Sequence, residues 1–250
     1  MSERPAKAPP VALRPPHPPT GGELALYRAC RFVAVGASRL AFPGRVVGRE
    51  HLPESGPYIL APVHRSYLDW LLVARVTRRR LRYIVKAEVW KSKAVGRLIE
   101  ALGAFPVNRS GADREALERS RAVLAGGEPL VMFPEGTRRS GPTVAELREG
   151  VAYLALRAGV PVVPVGIGGS EKAMPRGSAL PRPRRVDLVI GEPVLPRPVE
   201  EREGAAGRRA PVSRRAMREL SDEVREQIQA CFEEAERVRD TTTMDGRTRR

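Results

Sequence analysis

The chain has three histidines, and only one of them stands where a side chain could do chemistry. His17 lies in a proline-rich stretch and His51 in a turn before Pro53. His64 follows the apolar run YILAPV and opens the segment His64-Arg65-Ser66-Tyr67-Leu68-Asp69, which leads into the apolar run WLLVARV. This is the pattern of a buried strand turning into a helix, where α/β folds present side chains to a crevice. A helix starting near Ser66 or Tyr67 brings Asp69 back toward His64. A carboxylate bonded to one ring nitrogen fixes the tautomer, stabilises the imidazolium and leaves the other nitrogen as a base.

A second polar group, Phe133-Pro134-Glu135-Gly136-Thr137-Arg138-Arg139-Ser140, follows the apolar run PLVM. The two arginines suit bidentate capture of a phosphate, and Glu135 suits a hydroxyl or the orientation of an arginine. Gly136 permits close backbone approach. A solvated turn is the competing reading. Gly103-Ala104-Phe105-Pro106-Val107-Asn108-Arg109 ends another short strand on an arginine, and Val160–Ile167 is an apolar strand interrupted by Pro161 and Pro164. Proline cannot donate to a central ladder, so that last strand is expected at a sheet edge or distorted, packing the core or walling an apolar pocket.

The elements that must position these residues alternate between short β-rich and helical runs, which predicts an α/β fold: a mixed central sheet of about seven strands flanked by helices. Strands are expected near 45–48, 58–62, 81–86, 104–107, 129–133, 162–167 and 186–190, with helices near 67–76, 89–102, 113–125 and 147–158. Residues 1–22 read as a disordered arm, with seven prolines before residue 21. Residues 23–42 read as an amphipathic helix, and 43–200 as the domain carrying the candidate site. Residues 201–250 read as a linker, a C-terminal helix over about 213–238 and a frayed tail. On the N-terminal helix Arg28, Arg31 and Arg39 share one sector. Leu26, Cys30, Val33, Ala37 and Leu40 lie opposite, with Phe32, Val35 and Phe42 flanking the arginines. Such a helix either lies in an anionic headgroup region or docks on the domain with its arginines solvated.

Composition narrows the partners. With 44 basic and 29 acidic residues the net charge is +15, and the bases are overwhelmingly Arg. The excess implies nucleic acid, a membrane surface or a phosphorylated substrate. Nucleic acid rests on charge alone, since aromatics are 5% of the chain and no recognition motif is present. From Arg75 to Arg97 nine basic residues accompany one acidic residue, with Leu81, Tyr83, Ile84, Val89, Trp90 and Val95 interleaved. That composition suits a headgroup-facing surface, or else a solvated basic face with Trp90 in the core. The longest stretch free of ionisable side chains, Ala158–Ser170, has 13 residues, too short to span a bilayer as a helix. No signal-peptide pattern opens the chain. Cys30 and Cys231, far apart in sequence, are expected to be reduced packing thiols.

The four polar and apolar groups, in this order, resemble the glycerolipid acyltransferase family, typified by 1-acyl-glycerol-3-phosphate acyltransferases. His64 and Asp69 match its His-x4-Asp motif, and Gly103, Phe105 and Arg109 its Gly-x-Phe-x-x-x-Arg motif. Phe133–Arg138 match Phe-Pro-Glu-Gly-Thr-Arg, and Val160–Ile167 the Val/Ile-Pro-rich strand. The likeness covers roughly residues 45–195. Val63 replaces the Asn common before the histidine, Arg139 is inserted before Ser140, and Leu147-Arg148-Glu149-Gly150 stands where Phe-Lys-x-Gly is usual.

The resemblance implies acyl transfer from acyl-CoA or acyl carrier protein to a hydroxyl of 1-acyl-glycerol-3-phosphate, with no cofactor and no metal. Glycerol-3-phosphate or another lysolipid is the alternative acceptor. A non-catalytic basic membrane- or nucleic-acid-binding protein is the alternative of a different class. His64 would be the general base oriented by Asp69, and Arg109, Glu135, Gly136, Thr137 and Arg138 would bind substrate. Ser66 is the rival nucleophile, and backbone amides near Gly136 or after His64 are candidate oxyanion donors. A peripheral protein on the cytoplasmic face of the cell membrane is the location this implies.

Overall fold

The computed structural model describes residues 20–86, 93–107, 113–197, 203–204, 208–209 and 212–248. Nearly all of the proline-rich arm, together with Trp90 and Arg109, lies outside them. Seven short strands form one sheet: β1 (Val46–Val47), β2 (Ile59–Pro62), β3 (Arg82–Lys86), β4 (Ala104–Val107), β5 (Leu130–Val131), β6 (Val162–Gly168) and β7 (Asp187–Ile190). Their order is β1-β7-β6-β2-β5-β3-β4. β6, β2, β5, β3 and β4 are mutually parallel, whereas β7 runs antiparallel to β6 and parallel to β1, so the sheet is mixed as expected. The helices are α1 (Gly21–Ala41), α2 (Asp69–Val73), α3 (Lys93–Ala101), α4 (Asp113–Ala125), α5 (Gly150–Ala158), α6 (Ser170–Ala173) and α7 (Arg214–Thr248).

Every residue of β2 and β6 is buried, which is why both read as continuous apolar runs rather than alternating ones. Of the two expectations for the proline-bearing strand, an edge position or a distortion, the structure shows the second: β6 is central, between β2 and β7, and its ladder is irregular. Its prolines are tolerated because the β6 ladder is irregular where they fall. Between the pairs Val162↔Val194 and Val165↔Ile190 two residues face three, and there the Pro164 carbonyl accepts from Gly191 N at 3.0 Å. The tail also differs from expectation, since α7 continues to Thr248.

α7 crosses β6 and β7 at very close range. A Cβ on Gly166 would stand 2.1 Å from the Cys231 carbonyl oxygen, and one on Gly168 2.5 Å from that of Ala235. Only glycine lets the helix backbone approach so far. Burial in this contact pushes the Cys231 thiol up to about 11.

α1 begins in a capping box: Glu23 N donates to Thr20 Oγ1 and Thr20 N to Glu23 Oε2. Two glycines at the helix start are poor helix formers, and this reciprocal cap offsets them. The helix docks through buried Tyr27, Val35 and Ser38. Tyr27 Oη donates to the Arg79 carbonyl and accepts from Leu81 N, while Arg31 donates to the carbonyls of Ala74 and Thr77. Arg31 is therefore a bolt between α1 and the domain, not a solvated headgroup ligand. The apolar sector faces outward instead: Leu26, Ala29, Val33, Gly36 and Ala37 are exposed, with Phe32 80% and Leu40 87% accessible.

In the basic stretch from Arg75, four arginines, Arg75, Arg79, Arg80 and Arg82, are engaged by the domain rather than free to meet headgroups, while Arg78 is exposed. Arg75 donates to the carbonyls of Phe42 and Gly44, and burial lowers its pKa to about 10. Arg79 donates to the carbonyls of Pro53, Gly56 and Gly127, and Arg80 and Arg82 pair with Glu128. Leu81 and Tyr83 belong to the core.

Candidate active site

The candidate residues meet because their strands are neighbours. β2 lies between β5 and β6, all parallel, so the loops leaving their C-terminal ends emerge side by side at one edge. His64 follows β2, Glu135–Ser140 follow β5, and Gly169 with α6 follows β6. This is the edge where open α/β sheets form ligand crevices.

His64 Nδ1 lies 2.9 Å from Asp69 Oδ2. Asp69 is fully buried, and the same oxygen accepts the amides of Arg65 and Ser66 at 2.7 Å each. The carboxylate thus builds the turn and orients the imidazole in one stroke. An ionised carboxylate only accepts, so Nδ1 carries the proton and Nε2 is the basic nitrogen. The ring is one fifth accessible and stacks on Phe133, centroids 4.1 Å apart.

Glu135 is close by but differently employed. Both of its oxygens lie 2.9 Å from Arg65 Nη1, Oε2 also accepts His64 N, and Oε1 accepts Ala145 N. A carboxylate 2% exposed with this set of partners has no capacity left for a substrate hydroxyl, so Glu135 positions the β2 and β5 loops against each other. The sequence reading missed its partner. Arg65, 1% exposed, also donates to the carbonyls of His64, Gly141 and Thr143, and lies 5.1 Å from the Phe232 ring centre. It stood in the His-x4-Asp motif as a spacer, and only its immediate proximity to His64 pointed to it.

Gly136 has φ +68°, and a Cβ there would meet Arg148 Nε at 2.2 Å. The close approach it permits is that of the Arg148 side chain. Thr137 is exposed. Arg138 lies flat on Tyr67, its Cζ 3.2 Å from the ring centre, and its buried Nη1 has no hydrogen-bond partner. Arg109 falls outside the described residues. Gly103 of the same motif is at the opposite edge, where φ +88° and the Leu81 carbonyl, 2.2 Å from any Cβ, require glycine.

Two mechanistic alternatives are narrowed. Ser66 is 1% exposed and its Oγ donates to the Met174 carbonyl while accepting Leu68 N, so it does not face the opening as a nucleophile. Three of the amides considered for an oxyanion are occupied: Gly136 N by the Phe133 carbonyl, and Arg65 N and Ser66 N by Asp69. Among the described residues no group of three or more His, Cys, Asp or Glu side chains could hold a metal ion.

Residues 44–168, from the start of β1 to the end of β6, match the family model described as Acyltransferase. A 1-acyl-sn-glycerol-3-phosphate acyltransferase of Chlamydomonas reinhardtii is 31% identical over 157 residues, 60% of this chain and 46% of that protein. One from Bacillus subtilis is 27% identical over 151 residues, 60% of this chain and 73% of the relative. The chain spans about half the length of several such relatives. Among solved structures, the 1-acyl-sn-glycerophosphate acyltransferase PlsC of Thermotoga maritima aligns with a TM-score of 0.64 at 26% identity, covering 83% of this chain and 80% of that one.

Proposed function

Since the chain belongs to the Acyltransferase family, whose model half of it matches, we propose that it moves a fatty acyl group from acyl-CoA or acyl carrier protein to the free hydroxyl of 1-acyl-glycerol-3-phosphate. The observation that carries this reading is the His64–Asp69 pair at the sheet edge. Its acceptor is the one named for the relatives above.

In the reaction His64 Nε2 takes the hydroxyl proton as the oxygen attacks the thioester carbonyl. The tetrahedral intermediate then expels the thiolate as the C–S bond breaks, and the imidazolium returns the proton to sulfur. General-base assistance of this kind contributes roughly 10²–10⁴-fold. Asp69 holds the required tautomer and stabilises the imidazolium. The sequestered hydroxyl of Ser66 supports direct transfer without an acyl-enzyme. Arg138, with an unsatisfied Nη1 beside the site, takes the acceptor phosphate, and Arg109 is its partner in that role.

The protein works at a membrane surface, held by α1. Beside exposed Arg28 and Arg39, the helix turns Phe32, Val33 and Leu40 outward, an apolar surface flanked by charge that suits a headgroup boundary. Among the described residues no helix is long and apolar enough to cross a membrane, which fits contact with one leaflet.

The test is thioester cleavage with lysophosphatidate and glycerol-3-phosphate, each against acyl-CoA and acyl carrier protein thioester. Lysophosphatidate-dependent release supports the reading. Release dependent on glycerol-3-phosphate alone moves the acceptor, and no release with either overturns it.

A further inference from the structure

We propose that the segment from Met174 to Arg185 is a second lipid-contacting element, set at the mouth of the site, that binds anionic headgroups and inserts Leu180 among them. This rests on the reading of α1 as the membrane-facing helix, and the two can fail separately.

The segment joins the C-terminal end of β6 to the start of β7, and so lies on the edge that carries His64. It is fixed at both ends. The Met174 carbonyl accepts Ser66 Oγ, Arg182 N donates to the Ala173 carbonyl, and Arg185 pairs with buried Asp187. Between these anchors the chain is turned outward. Gly177 makes a turn at φ +86°, Ser178 Oγ donates to the Leu180 carbonyl, and Leu180 is 75% accessible. Pro181 and Pro183 stiffen the return of the chain toward β7. Arg176, Arg182 and Arg184 are exposed, and none has an acidic partner among the described residues. From Lys172 to Val186 the sequence has no acidic residue.

These charges differ from those of Arg75, Arg79, Arg80 and Arg82, which are used up on carbonyls and Glu128. Exposed, unpaired arginines around one exposed leucine are complementary to an anionic lipid surface, where the apolar tip enters the acyl boundary and the guanidinium groups remain with the phosphates. A protein partner fits less well. A specific protein interface needs about 800 Å² per side with an apolar centre, and one leucine among arginines does not supply that.

Position links the segment to α1. Val186 N donates to the Pro43 carbonyl at 2.9 Å, so the end of the segment is bonded to the residues just after α1, where Leu40 faces outward. Leaflet contact through α1 therefore brings the segment and the site edge close to the lipid that holds the acceptor.

The experiment uses the full chain and vesicles of phosphatidylcholine with and without phosphatidylglycerol. The variant Arg176→Gln/Arg182→Gln/Arg184→Gln is expected to weaken binding to the anionic vesicles on the order of a hundredfold at low salt, with the difference shrinking as ionic strength rises. Its thermal midpoint and its turnover on detergent-dispersed acceptor should match the parent. Parent-like binding of the triple variant to anionic vesicles overturns the proposal, and leaves the α1 reading intact if Phe32→Asp/Leu40→Asp does release the protein. No vesicle binding by the parent overturns both. Retained vesicle binding with turnover lost only on acyl carrier protein thioester also overturns it, in favour of an acidic carrier protein docking there.

Discussion

His64 and Asp69 are joined by a single carboxylate oxygen that also accepts the amides of Arg65 and Ser66. The spacing made this legible: a carboxylate in the first turn of a helix reaches back to free amides and to whatever side chain precedes them. The neighbouring residues were less legible. Glu135 was expected to meet substrate and Arg65 carried no expected role, but each is buried and serves the other. Arg65→Met should leave the Glu135 charge unpaired and cost about 3–5 kcal/mol, read as a lowered denaturation midpoint. Arg138 behaves in the opposite way, stacked on half-exposed Tyr67 with a nitrogen unsatisfied. Arg138→Ala should raise KM for the phosphorylated acceptor about tenfold to a hundredfold with a smaller change in kcat, the worth of a charge-assisted pair. Tyr67→Ala should raise KM by a smaller factor and Tyr67→Phe should restore it, because the stack needs the ring and not the hydroxyl.

Among the elements, strands and helices were readable where periodicity or burial marked them, and the placement of β6 was not. Two prolines suggested an edge or a distortion, and it is the distortion that holds: the irregular β6 ladder admits Pro164 at the centre of the sheet. Nothing in the local sequence reports where a strand sits in its sheet, because that is decided by long-range pairing. The glycines of β6 are where α7 approaches most closely, which no sequence expectation anticipated. Gly166→Ala would drive a Cβ into the backbone at Cys231, a contact that flexible side chains cannot relieve. A loss of about 1–3 kcal/mol or more is expected, seen in thermal or urea unfolding, and stability equal to the parent would contradict this packing.

For the whole molecule, the +15 charge implied an anionic partner without locating it. Many of the arginines turn out to be internal fasteners: Arg31 and Arg75 tie α1 and its exit to the domain, and Arg65 ties the site loops. The polarity of α1 could not be read from its wheel, since the helix hides polar bolts and shows its apolar stripe. Phe32→Asp/Leu40→Asp alters two exposed positions, so folding should be retained while vesicle affinity falls. Each large apolar side chain withheld from lipid is worth about 1.5–3 kcal/mol, so the loss should exceed tenfold in vesicle sedimentation.

Acyl transfer driven by His64 is the claim on which the rest depends. Its most direct test is the steady-state rate of phosphatidate formation from lysophosphatidate and acyl-CoA by the purified full chain and by His64→Ala, each checked for folding by circular dichroism. The parent should turn over in a lysophosphatidate-dependent way, and the folded variant should lose at least about a hundredfold, the low end of what a general base supplies. Near-parental turnover in folded His64→Ala would contradict it.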